Sequence, residues 1–172
     1  GKRSHSGSRS LERLINLEPE DVEPETAGNF VWHPAYAVPW RKELLVRAYR
    51  FFSGHPFMVE KYLSVHEKLR GEGGCTDEDF SGVERVTNED FSLVHTRAYL
   101  EQVRQRAGKS ILNEIGTETP ITEGTVQLQA AFVAGTYTAG RIALEQGIAM
   151  NLGGGLHHAF PEHEEGFCLF ND

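Results

Sequence analysis

Apolar and polar positions along this chain follow two rhythms, a short continuous run and a three-to-four-residue step. Phe30, Val31 and Trp32 form a run that reads as a strand, and Pro34 and Pro39 forbid a long central one. Leu44, Leu45, Ala48, Phe51 and Phe52 recur at helical spacing within residues 41–52. Pro56 can open the next helix, whose apolar stripe is Met58, Tyr62, Val65 and Leu69 and whose stop is Gly71, Gly73 and Gly74. His66-Glu67 on that helix has no second His at the spacing of a metal helix and reads as a solvated face. Residues 83–86 read as a short strand. Thr87 and Asp90 resemble a capping box for a helix carrying Phe91 and Val94. His95, read as structural, then leads to a helix of Tyr99, Leu100 and Val103. Residues 111–124, with Pro120, read as a loop in which Glu118 and Glu123 are solvated acids. The longest helix is expected over residues 125–147, where small Ala131, Gly135 and Ala139 would let its axis approach a sheet closely. It feeds an apolar run, 148–152, that reads as a buried strand. Strand, helix and strand in alternation predict an α/β domain with a mainly parallel sheet, in three α/β/α layers.

Composition narrows this picture. Residues 1–29 join a basic, Ser/Gly-rich start (Lys2, Arg3, Arg9, Arg13) to an acidic run (Glu18, Glu20, Asp21, Glu23, Glu25), and read as a disordered arm before a domain at 30–172. In the whole chain 25 acidic residues outnumber 17 basic ones. That balance argues against nonspecific nucleic-acid binding. No apolar run approaches a membrane span, and no signal-peptide core is visible. Cys75 and Cys168 give neither a disulfide framework nor a CxxC site, so a reducing cytoplasm is the expected compartment.

Candidate chemistry gathers where the last strand ends. Leu152 is followed by Gly153-Gly154-Gly155-Leu156-His157-His158, which puts two imidazoles just past the carboxyl end of a strand, the usual ligand side of a parallel sheet. Imidazole titrates near neutrality, so such a pair serves general acid/base work or metal ligation. Adjacent side chains on an extended or turning backbone are expected to point apart. The glycine run does not meet the dinucleotide-binding G-x-G-x-x-G pattern, because His158 stands where the last Gly belongs. A second reading is a metal-binding or protein-interaction module built on the His/Glu-rich loop 157–165, using His157, His158, His163 and Glu162, Glu164 or Glu165.

Gly153-Gly154-Gly155-Leu156-His157-His158-Ala159, followed by Gly166-Phe167-Cys168-Leu169-Phe170-Asn171-Asp172, resembles the zinc-dependent histone deacetylase family, its bacterial and class IV-like branch most closely. His55-Pro56-Phe57, Glu89-Asp90-Phe91, Val94-His95-Thr96 and Tyr99-Leu100 agree in order and spacing. The resemblance implies an arginase/deacetylase α/β fold and hydrolysis of the acetamide of acetyl-lysine or a small acetylated amine. By motif position His158 resembles the general base and acid, and His157 its companion near a zinc-bound water. Phe167 matches a wall of the acyl-lysine channel. Gly166 matches the residue whose backbone accepts a hydrogen bond from the substrate amide. The family holds Zn²⁺ with an Asp-x-His pair and a later Asp. No Asp here is followed two residues later by His, as Asp21, Asp77, Asp79 and Asp90 attest, and no metal ligand is assigned to this chain. The expectation is therefore the amino-terminal portion of a deacetylase domain, truncated on its C-terminal side and inactive alone. Asn171-Asp172 reads as an N-cap pair for a further helix.

Overall fold

The computed structural model describes residues 28–37, 60–109, 114, 117 and 119–172. Residues 1–27 of the expected arm, the helix expected at 41–52, the His55-Pro56-Phe57 segment, Met58 and Glu118 lie outside the described residues. Strand β1 (Phe30–Val31) is flanked by β2 (Phe80–Ser81) and β3 (Met150–Asn151), all parallel, in the order β2-β1-β3. Phe30 stands beside Phe80 and Met150, and Val31 beside Ser81 and Asn151. Backbone bonds from Met150 N to Asn29 O (2.7 Å), Leu152 N to Val31 O (3.0 Å) and Trp32 N to Ser81 O (2.9 Å) extend the ladders past the strands. Parallel neighbours need crossovers. Helix α1 (Glu60–Gly71) lies in the first, and α2 (Asn88–Phe91), α3 (Arg97–Ala107) and α4 (Glu123–Gln146) lie in the second.

Four local expectations are corrected. The strand placed at 83–86 is instead Phe80–Ser81, because the Glu84 N–H donates to the Thr138 hydroxyl (2.8 Å) on α4 rather than to a sheet neighbour. The capping box of Thr87 and Asp90 forms, but α2 stops at Phe91 and Val94 is left exposed in the following turn. On α1 the packed stripe is rotated: Val65 is 46% exposed, whereas His66 stacks on Trp32 (4.2 Å between centroids, 9° between planes) and meets Phe80 edge-on. The run 148–152 is half-buried, with Ile148 70% and Met150 57% exposed and Leu152 inside, because β3 is the outer strand among those described.

Helix α4 organises the rest. Thr122 caps it, accepting from Thr125 N (3.1 Å), so it begins two residues ahead of the expected start, and Glu123 is exposed in its first turn. It runs to Gln146, where Gly147 at φ 91° ends it. Its first four turns are buried on nearly all sides. Val126, Ala130 and Ala134 pack into one core with Tyr99, Val103, Ile121, Leu169 and Phe170. Leu128, Ala131 and Phe132 pack into another with Tyr36, Tyr62 and Leu156. Phe132 is fully buried, with its ring 5.0 Å from Tyr36 and 4.7 Å from Tyr62. Burying such a side chain stabilises by about 1.5–3 kcal/mol, and each well-placed aromatic pair adds about 0.5–1.5. A side chain at Gly135 would meet Tyr36 Oη at 2.0 Å and Asn151 Oδ1 at 2.5 Å. The small-residue expectation thus holds at this position.

His95 staples two loops across α3. Its Nδ1–H donates to Phe160 O (3.0 Å) and its Nε2 accepts from Asn171 N (3.0 Å), so both partners select one neutral tautomer. Burial holds its pKa below the usual imidazole value. The folded state therefore binds fewer protons than the unfolded chain as pH falls through about 6.5, and stability is lost in that direction. His95→Asn should narrow the difference in Tm between pH 7.5 and 5.5, read by scanning calorimetry, and an unchanged difference contradicts this. Gly135→Ala should destabilise by roughly 1–3 kcal/mol through overpacking against the Tyr36–Asn151 pair. Urea denaturation measures it, and a wild-type midpoint would show that the helix has room to retreat.

Candidate active site

The chain leaves β3 at Asn151 and turns through the three glycines. Gly154 (φ 88°) and Gly155 (φ 82°) occupy the left-handed region that side chains disfavour, while a Cβ on Gly153 would strike the Phe132 ring at 2.4 Å. The Asn151 amide holds the turn. Its Oδ1 accepts from Tyr36 Oη (3.0 Å) and Gly153 N (3.1 Å), and its Nδ2 donates to Phe132 O (3.0 Å) and Thr136 Oγ1 (3.1 Å). Thr136 in turn donates to Asp172 Oδ2 (2.8 Å). The Asp172 carboxylate accepts from Gly155 N (2.8 Å) and Leu156 N (2.7 Å). The expected N-cap residue is thus a clamp on the glycine turn, and Asn171 Nδ2 donates back to Ala159 O (3.0 Å). Burial pushes the Tyr36 phenol far up and the Tyr62 phenol up to about 12, so both stay protonated.

This turn delivers His157 and His158 to the surface beyond the carboxyl end of β3, both exposed. Their rings do not point apart as expected: the centroids are 4.3 Å from each other, with planes 39° apart. Gly166 and Phe167 form the tip of a tight turn closed by Glu165 and Cys168, which exchange backbone bonds (2.9 and 3.2 Å). Both tip residues have positive φ, 55° and 67°, the pattern of a I′ hairpin turn. A Cβ on Gly166 would lie 2.6 Å from His158 Cγ, so the backbone of this tip presses on the imidazole. The structure thereby brings His157, His158, Gly166 and the Phe167 backbone into one neighbourhood.

The loop between the two turns is committed elsewhere. His163 stacks on Phe160 (4.5 Å, 10°) and lies 3.5 Å from Glu165. Glu164 pairs with Arg106 (2.5 Å), whose other two nitrogens donate to the buried Glu114 (2.6 and 3.2 Å). Burial pushes the Glu114 carboxyl up, but Arg106 and the Ile121 N–H outweigh it and hold it below the usual carboxylate range. Among the described residues no three His, Cys, Asp or Glu side chains converge to hold an ion. The described residues therefore assemble no zinc site by themselves, and among them the alternative of a metal-binding loop at 157–165 finds no ligand cluster.

Several positions on which the candidate site depends belong to no motif. Gln129 is 7% exposed; its Nε2 donates to Phe167 O (3.0 Å) and its Oε1 accepts from Leu169 N (2.6 Å). Tyr99 Oη donates to Leu169 O (2.8 Å). The available signal was a polar side chain in a buried register, Gln129 within the Leu128–Phe132 face and Asn151 within the run 148–152. Nothing comparable marked Arg106 or Glu114, which meet across a loop.

The sequence profile of the histone deacetylase domain matches residues 55–172. Acetoin utilization protein AcuC of Bacillus subtilis is 34% identical over 152 residues, covering 83% of this chain and 37% of that protein. An uncharacterized protein of Picosynechococcus is 31% identical over 150 residues, covering 83% of this chain and 43% of its own length. Histone deacetylase 2 of Arabidopsis thaliana is 29% identical over 123 residues, 69% of this chain and 32% of that one. The chain thus spans between about a third and two-fifths of the length of these relatives. A parallel α/β sheet of the arginase/deacetylase kind, a histidine pair beyond its third strand and a profile match over most of the chain establish that this chain belongs to the histone deacetylase family.

Proposed function

We propose that this chain supplies the proton-handling and part of the substrate-contacting half of a deacetylase that hydrolyses the acetamide of acetyl-lysine or a small acetylated amine. One observation carries the reading: adjacent imidazoles 4.3 Å apart stand at the end of a glycine turn, with the Gly166 backbone against the second. In this reading His158 takes a proton from the attacking water and returns one to the leaving amine, with His157 beside it. The Gly166 carbonyl accepts from the substrate amide, and Phe167 flanks the aliphatic chain. Zinc is the proposed cofactor of the whole domain, held by residues other than those described here. The proposed partner is the acetylated amine, without nucleic acid or membrane. A cytoplasmic setting accords with Cys75 and Cys168, neither of which forms a disulfide.

Two outcomes test this. In the full-length protein, His158→Ala should lower kcat for an acetyl-lysine peptide or an acetylated polyamine by ~10²–10⁴-fold, the usual contribution of general acid/base assistance, while bound zinc stays constant. Acetate release and elemental analysis read the two quantities, and loss of zinc instead would make His158 a ligand. The 172-residue chain by itself should release no acetate with added Zn²⁺, because no Asp in it is followed two residues later by the His that the family's ligand pair needs; turnover in that assay overturns the division of labour.

A further inference from the structure

Gln129 is placed where a helix core has no ordinary use for an amide. It lies on α4 between Leu128 and Ala130, both fully buried, and both ends of its side chain reach the same short segment: Phe167 O at 3.0 Å and Leu169 N at 2.6 Å. Those bonds flank Cys168, and the first fixes the carbonyl of Phe167, whose φ of 67° is the one positive value among the described non-glycine residues. A β-carbon makes that conformation costly, and it persists where surroundings over-determine it. The neighbouring contacts supply the rest of the constraint. The Tyr99 hydroxyl fixes Leu169 O (2.8 Å), and Glu165 and Cys168 close the turn. A relaxed Phe167 would rotate the Phe167 carbonyl away from Gln129 and carry Gly166 off the face of His158, against which it now packs.

We infer that Gln129 is a positioning residue for substrate binding: its buried amide holds the Gly166–Phe167 turn in its left-handed form, and so sets the backbone acceptor and the aromatic wall beside His158. This rests on the deacetylase reading above. It assigns to a core glutamine a role in affinity for the acyl-amine, since the turn contacts substrate while the amide itself does not.

The full-length protein with Gln129→Met, of similar length without hydrogen bonding, is the primary test. KM for an acetyl-lysine peptide should rise about tenfold, the scale of one or two lost hydrogen bonds, with kcat within about threefold. Gln129→Glu keeps the acceptor for Leu169 N and removes the donor to Phe167 O, so it should carry most of the KM effect and serves as well if the Met variant fails to fold. Independently of turnover, the nuclear Overhauser contact between the Gly166 α-protons and the His158 ring should weaken in both variants. A fall in Tm with KM and the Gly166–His158 contact unchanged would show a purely structural glutamine and overturn the inference. Absence of acetate release by the wild type would sink the deacetylase reading instead, leaving the proton–proton contact to decide whether Gln129 sets the turn.

Discussion

The approach of helix α4 to the end of β3 is the constraint on which the rest depends. At Gly135 the helix backbone comes so near that a single added carbon would sit on Tyr36 Oη and Asn151 Oδ1. That proximity lets Asn151 reach the carbonyl of Phe132 and the hydroxyl of Thr136 on the same helix. It also lets Thr136 pass the connection on to Asp172, and Asp172 to the backbone of the glycine turn. The position of two exposed histidines is thereby referred to a buried helix, several bonds away, rather than left to a surface loop.

Buried amides do what apolar packing cannot. A core of Phe132, Tyr36 and Leu156 is non-directional and would tolerate small slips, whereas a buried polar group left without partners costs about 1–3 kcal/mol. The half-buried Asn151 and the buried Gln129 are therefore compatible with their surroundings in one arrangement, with their donors and acceptors met. Each holds one of the two turns that meet at the site. The Arg106–Glu114–Glu164 cluster works similarly at the rim, joining the end of α3 to the loop that follows the histidines. Such an ion cluster is weak evidence for stability, because desolvation offsets attraction. Its clearer effect is to hold Glu164 away from any role as a ligand.

Membership of the histone deacetylase family and these contacts bear on different questions. The profile match identifies the kind of domain to which residues 55–172 belong. The contacts explain why that segment needs Gly153, Gly166 and Asp172 where it has them. A Cβ at position 153 has no space beside Phe132, one at 166 collides with His158, and Asp172 closes the turn between them.

Much of this was legible in the chain itself. Helical periodicity located α3 and α4, the Thr87–Asp90 box located α2, and the run of glycines marked the turn that carries the paired histidines past β3, because each is a local consequence of backbone sterics or side-chain spacing. Short parallel strands are less legible: a two-residue ladder leaves almost no period, so residues 83–86 read as a strand although the ladder lies at Phe80–Ser81. The stacking of His66 on Trp32, the pairing of the two imidazoles, the bonds of Gln129 and the clamp made by Asp172 join residues far apart in sequence or on different elements. By itself the sequence determined which elements form and which side chains have the chemistry. The tertiary structure alone decided which polar atoms meet, because a hydrogen bond across 40 residues depends on packing distance, and no local pattern encodes that.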